Sequence, residues 1–158
     1  MRLMEVTYKD IDFLWEVLKE RTNDKTVNIS HLKLPHYMTH SAFVKRHPYQ
    51  CWYVIKWGHA KVGSIYLTKQ NEIGIFIMKR YQGKHLAKNA IALLVHEQPI
   101  DYYIANINPL NERSIGMFRS MGFRHIQQTY RIDRKEMMQM YWDIDYIKRR
   151  FKRAETDV

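Results

Sequence analysis

The sequence contains a single cysteine, Cys51, among 158 residues, which excludes an internal disulfide and a cysteine-built zinc cage. Six glycines and four prolines are too few for a collagen-like or low-complexity chain. No internal repeat and no Pro/Gly/Ser-rich stretch marks a boundary, so residues 1–158 are expected to form one domain, with 148–158 as a basic tail. Long apolar runs are also missing. Those at Cys51 to Ile55, Ile73 to Met78 and Ile91 to Val95 fall far short of the roughly 20 residues that span a bilayer, so no membrane partner is expected. Met1 to Glu5 lack the charged segment and long apolar stretch of a secretory leader, which leads to an expected cytoplasmic location. Acidic residues are scarce as well. Sixteen Asp and Glu against 26 Lys and Arg leave a net charge of +10, which favours phosphates, nucleic acid or another anionic surface as partner.

What is present is enough for a sizeable core, with 46% hydrophobic and 13% aromatic residues. Leu3 to Tyr8 reads as a strand, and Thr7-x-x-Asp10 offers a capping box. Behind it Ile11, Leu14, Trp15 and Leu18 form the stripe of a helix from about Asp10 to Arg21. From Thr22 to Pro48 the pattern weakens to a loop-rich wall with a short helix near Thr39 to Lys45. Trp52 to Trp57, Val62 to Thr68 and Glu72 to Met78 are strand-like, joined by connections short enough only for antiparallel hairpins. Gly74 inside the third run marks a bulge or a place where something approaches the backbone. A helix follows from Gly83 to about Glu97, stopped by Pro99. Tyr102 to Ile107 reads as a strand, and Asn108-Pro109 as the N-cap of a helix from Pro109 to Met121 ending at Gly122. Phe123 to Ile132 and Met138 to Ile144 read as closing strands. The order is mixed α/β.

The join from Met78 through Gln82, Gly83, Lys84, His85, Leu86 and Ala87 carries the clearest chemistry. Unpaired N–H groups at a helix start and the positive end of its dipole suit an anion, and Lys84 adds charge. A capped helix with a solvated basic first turn is the plainer reading. A Walker loop is excluded, because it needs glycine at Met78 and Ser or Thr at His85, and a dinucleotide fingerprint needs three spaced glycines. His36 and His40 have i, i+4 spacing, with His31 and His47 nearby, yet no carboxylate motif joins them and no metal is expected. Cys51, beside Trp52, Tyr53 and Val54, reads as a buried strand residue. The run Lys148 to Arg153 reads as a solvated tail. Two side chains are candidate bases. Glu72, at a strand start, could accept the proton an ammonium must lose before it attacks, directly or through water, and His47 has a suitable unperturbed pKa of about 6.5.

Gln82-Gly83-Lys84-His85-Leu86-Ala87 resembles the pyrophosphate loop of the GNAT superfamily of acetyl-CoA-dependent N-acetyltransferases, Gln/Arg-x-x-Gly-x-Gly/Ala, with His85 in place of the middle glycine. As a helix-start residue His85 is expected to need no positive φ. Asn108 to Phe123 resembles the family's Asn-x-x-Ser-Ile-x-x-(Tyr/Phe)-x-x-x-Gly-Phe helix, and the order of elements matches over nearly the whole chain. The resemblance implies an α+β fold whose mixed, mostly antiparallel sheet has about seven strands with about four helices, opened into a V-shaped cofactor cleft by a bulged fourth strand. It implies acetyl-CoA as donor, with its pyrophosphate on Gln82, Gly83, Lys84, His85, Leu86 and Ala87. The pantetheine would lie on Ile75, Phe76, Ile77 and Met78, beside Asn108, Asn111, Ser114, Met117 and Phe118. A tyrosine often occupies the Phe118 position and protonates the departing thiolate, which phenylalanine cannot do. Acetyl transfer is expected to go directly to a primary amine of a small molecule, with Glu72 and His47 as catalytic candidates. An amino sugar or nucleotide-linked amino sugar is the leading acceptor, and a protein N-terminus or ribosomal protein the enzymatic alternative. A non-enzymatic, basic RNA-binding module is the alternative from another class, although nucleic acid is not the expected partner. Either a monomer or a homodimer fits.

Overall fold

A computed structural model describes residues 1–27 and 33–126, and the helices and strands among them belong to the unit Met1–Phe123. Of the expected strand Phe123 to Ile132 only 123–126 are described, without strand structure, while the rest of it, the expected strand Met138 to Ile144, the basic tail and His31 lie outside the described residues. Four strands, β1 (Arg2–Glu5), β2 (Cys51–Trp57), β3 (Ala60–Leu67) and β4 (Ile73–Ile77), form an antiparallel sheet in the order β1-β2-β3-β4. The short connections between β2, β3 and β4 force the meander, as their length requires. Beyond β4 the expected strand at Tyr102 to Ile107 is reduced to one parallel bridge, Glu72 to Ile104.

The Thr7–Asp10 capping box forms, with Thr7 N–H donating to Asp10 Oδ2 at 2.9 Å. It closes a 3₁₀ turn at Tyr8–Asp10 that leads into α1 (Ile11–Thr22). Asp10 also accepts from Lys61 Nζ at 2.7 Å, which fixes the start of α1 to β3. The second helix is longer than its weak periodicity suggested: α2 spans Tyr37–Arg46 and is capped by His36, whose Nδ1 accepts from Met38 N–H. His40 turns inward and places Nε2 3.0 Å from the Ile11 carbonyl. His36 and His40 are therefore occupied in structure, and among the described residues no cluster of three metal-ligating side chains exists.

The sheet is covered on both faces. One face carries α3 (Leu86–Glu97), whose Leu86, Ala90, Ile91 and Leu94 pack against Ile55, Val62, Ile65 and Ile77. Burying a side chain such as fully enclosed Ile91 or Leu94 stabilises by about 1.5–3 kcal/mol. On the other face α1 and α2 pack Leu14 and Val44 against Trp52 and Val54, while Val17 meets Phe76. Even-numbered residues of β4 thus face α1, and odd-numbered ones face α3, as strand alternation dictates.

The last described helix, α4 (Glu112–Ser120), starts later than the Asn108-Pro109 pair suggested. Asn111 is its cap, accepting from Ser114 N–H at 3.1 Å, whereas Asn108 Oδ1 accepts from Leu110 N–H in a preceding turn. Gly122, at φ 92°, ends the helix as expected: its N–H reaches the Arg119 carbonyl and that of Phe123 reaches Phe118. This is the Schellman arrangement, which needs a left-handed residue that glycine supplies without strain. Its apolar contact is present too, the Phe118 and Phe123 rings meeting edge to face at 4.9 Å.

Candidate functional site

The site begins where β4 loses its neighbour. Ile73 N–H donates to the Ile104 carbonyl and Ile104 N–H to that of Asn71, both at 2.8 Å. Past that bridge no described strand pairs with the outer edge of β4. Because peptide groups alternate sides along a strand, residues sharing the parity of Ile73 present their polar groups to this open edge. Of the four residues expected to serve it, Ile75 and Ile77 turn their peptide groups to this edge. Phe76 and Met78 do not, because their peptides face β3, Met78 N–H donating to the Val62 carbonyl. The Ile77 carbonyl is already taken by Gln82 Nε2 at 2.8 Å. Among the described residues Ile75 N–H and C=O and Ile77 N–H have no partner and remain for a bound amide or carbonyl.

Gly74 does not lie in a bulge. The β3–β4 register runs unbroken from Leu67↔Ile73 to Gly63↔Ile77, and the sheet's irregularity falls at Ile55/Lys56. Its glycine answers a close approach instead: a Cβ there would stand 1.9 Å from Cζ of Tyr66, whose ring lies across the strand. Tyr66 stacks in parallel on Tyr49, centroids 4.0 Å apart. Burial first, then Tyr66, then the nearby Glu72 carboxylate push the Tyr49 phenol well above its ordinary pKa, partly offset by Arg21. Glu72 is half-buried and stands two residues before Gly74, which strand alternation places on the same face. His47 caps the C-terminus of α2 at φ 47°, its ring 6.1 Å from Trp52 and its Nε2 buried without a hydrogen-bond partner among the described residues. Among the described residues no hydrogen bond or ion pair joins it to Glu72.

Following β4, Lys79–Tyr81 makes a 3₁₀ turn and α3 starts at Leu86. Among the described residues no acceptor pairs with the backbone N–H groups of residues 83–88, and the first bond of the ladder is Asn89 N–H to the His85 carbonyl. Successive unpaired N–H groups at a helix start form an anion site. Two details differ from expectation. His85 does adopt a positive φ, 57°, so it occupies a backbone conformation that suits glycine. Lys84 is turned away, its Nζ 4.8 Å from the centroid of the Trp57 ring. The cation beside the loop is one that sequence reasoning missed, Arg113 of α4. Its Nη1 donates to Gln82 Oε1 at 2.8 Å, and Nη2 lies 4.0 Å from where a Cβ of Gly83 would stand.

The remaining expected residues cluster at α4. Asn111 and Ser114 form its first turn, Met117 is half-buried, and Phe118 is buried in the core under α3. Asn108 Nδ2 donates to the Lys25 carbonyl, 3.1 Å away. Leu86 is buried and Ala87 packs on the same core, so both offer only backbone to the loop. Cys51 is buried, and that burial raises its thiol pKa, which argues against a nucleophile.

The model of the acetyltransferase (GNAT) family matches residues 13–123. The chain belongs to the GNAT family. Among solved structures, this GNAT chain is similar to ribosomal-protein-alanine N-acetyltransferase from Brucella melitensis, with 17% identity and a TM-score of 0.66 over 80% of this chain and 86% of that one. It is also similar to yncA from Salmonella typhimurium, solved with its cofactor acetyl-CoA, at 15% identity and a TM-score of 0.68 over 82% of each chain. A third is the microcin C7 self-immunity acetyltransferase MccE in complex with acetyl-CoA and AMP, at 17% identity and a TM-score of 0.66 over 82% of this chain and 83% of that one. No curated protein matches the chain. The protein is thus an acetyltransferase of the GNAT family that uses acetyl-CoA. The open β4 edge and the free N–H groups at residues 83–88 fit such a donor. Among the described residues no helix is long and apolar enough to cross a membrane.

Proposed function

We propose that this GNAT chain transfers the acetyl group directly to a primary amine of a small acceptor, an amino sugar or nucleotide-linked amino sugar. The supporting observation is the sequence of groups along β4: Glu72 at the bridge to Ile104, Gly74 under the Tyr66 ring that stacks on Tyr49, and Ile75 at the open edge directly after it. Acetyl-CoA supplies a thioester, an activated acyl group with a thiolate as leaving group. The backbone N–H groups of residues 83–88 hold its diphosphate, and Ile75 N–H faces the thioester carbonyl, where a positioned donor in acyl transfer is worth about 10² to 10³ in rate. A sugar or base laid against the aromatic wall presents its ammonium to Glu72, which accepts the proton and frees the lone pair for attack. The site calls for no acyl-enzyme, since Cys51 is the chain's sole thiol and is buried.

An acetyl-transfer screen over amino sugars, nucleotide amino sugars, polyamines and peptides tests the reading. Highest kcat/KM on amino sugars or their nucleotide conjugates supports it. Highest kcat/KM on peptides with a free N-terminal residue would replace it with the protein-acetylating reading.

A further inference from the structure

Arg113 stands out because its surroundings leave most of its chemistry unused. It is exposed, and among the described residues no carboxylate lies within ion-pair distance of it. Its one hydrogen bond among the described residues goes to a neutral acceptor, Gln82 Oε1, through Nη1 at 2.8 Å. A guanidinium carries five donors in a planar fork, so four remain. They lie beside Gly83, with Nη2 at 4.0 Å from its would-be Cβ, at the first of the six unpaired N–H groups. The same Gln82 donates from its other end to the Ile77 carbonyl at 2.8 Å. A chain of hydrogen bonds therefore runs from α4 through the loop to the end of β4.

We propose that Arg113 is a donor-positioning residue of this acetyltransferase, holding Gln82 with one arm of its guanidinium and the diphosphate of the acyl-CoA with the other. The proposal rests on the reading of residues 83–88 as the diphosphate site. Two geometric features make the double role possible. The guanidinium reaches the loop from α4 and stands beside Gly83, so an anion seated on the N–H groups has a second set of donors near it. The bond to Gln82 fixes the plane of the fork in advance, so little side-chain freedom is lost on binding. Lys84, nearer in sequence, is committed to Trp57 and leaves this position to Arg113.

Calorimetry with CoA and with 3′-dephospho-CoA, on the full chain and on Arg113→Ala and Arg113→Lys, tests it. Arg113→Ala is expected to weaken both ligands by about 10- to 100-fold, the span of one or two lost charge-assisted bonds. The deficit should narrow between about 50 mM and 500 mM salt, because screening removes what the charge contributed. Arg113→Lys should recover part of it, a point charge replacing a fork. A deficit seen with CoA but not with 3′-dephospho-CoA would assign Arg113 to the 3′-phosphate and overturn the diphosphate contact. A deficit that ignores salt and is not recovered by lysine would make Arg113 merely structural and overturn the proposal. So would unchanged affinity in Arg113→Ala. If the unaltered protein bound neither ligand, the underlying diphosphate-site reading would fall, an outcome distinct from the other three.

Discussion

Replacing His85 by glycine should stabilise the protein. His85 stands at φ 57° and ψ 13° at the start of α3, with no side-chain capping bond. A non-glycine residue in the left-handed region costs about 1–2 kcal/mol. Glycine would remove that strain but also give the unfolded chain more freedom, which costs about 0.4–1 kcal/mol. The difference is a net gain of about 0.5–1 kcal/mol, or about 1–4 °C in Tm for a chain of this size. The exposed imidazole should contribute little, so His85→Ala, which keeps the strain, should stay within about 0.5 kcal/mol of the original. Thermal unfolding of the three proteins at one pH and protein concentration decides the matter. A Tm that falls in His85→Gly, or that rises equally in His85→Ala, would refute the reasoning. In the first case the imidazole holds the loop; in the second its removal, and not the relief of strain, is what stabilises.

Gly74→Ala should cost about 1–3 kcal/mol in urea unfolding, because the new methyl group displaces the Tyr66 ring; in a Tyr66→Ala background the cost should largely vanish, and a persistent cost would place the strain elsewhere. Phe118→Tyr should leave turnover within about tenfold, since a thiolate already leaves tolerably; a larger gain in kcat would show that thiolate protonation limits the native enzyme. His40 is buried, and burial outweighs its bond to Ile11 and the nearby Asp12 charge, lowering its pKa from 6.5. The unfolded chain then binds the extra proton first, so this contribution to stability is present above about pH 6.5 and is lost as the pH falls towards the folded value. Tm measured at pH 7.5 and 5.5 should drop less in His40→Gln than in the original, and an equal drop would remove His40 as the cause.

The sequence carries the fold wherever a local pattern has one solution. Thr7 and Asp10 box a helix start, short hairpins force the meander, and Gly122 ends α4 because few other residues tolerate its φ. The site was legible to the extent that its groups are contiguous, as in the run from Gln82 to Ala87 and the parity of β4. What could not be read depends on partners distant in sequence. Asn108 and Asn111 are equally good caps on paper, and Pro109 favours the wrong one. The choice is made by a turn that spends Asn108 on Leu110 and on the Lys25 carbonyl. Gly74 carries no sign that it is Tyr66 that approaches it. Nothing in the spacing sends Lys84 to Trp57 or brings Arg113, 31 positions from Gln82, to the loop. The available signal was a lone cation in the first turn of a helix, where acidic residues are favoured.

The central claim, that Glu72 takes the proton of an amine acceptor attacking acetyl-CoA directly, is tested most directly by the pH dependence of kcat/KM for the best acceptor in the original enzyme and in Glu72→Gln. The account predicts a limb that rises through one apparent pKa in the original. It also predicts a loss of about 10² to 10³ in rate together with disappearance of that limb in Glu72→Gln, with CoA affinity unchanged. An unaltered pH profile and rate in Glu72→Gln would contradict it and transfer the proton to His47 or to water.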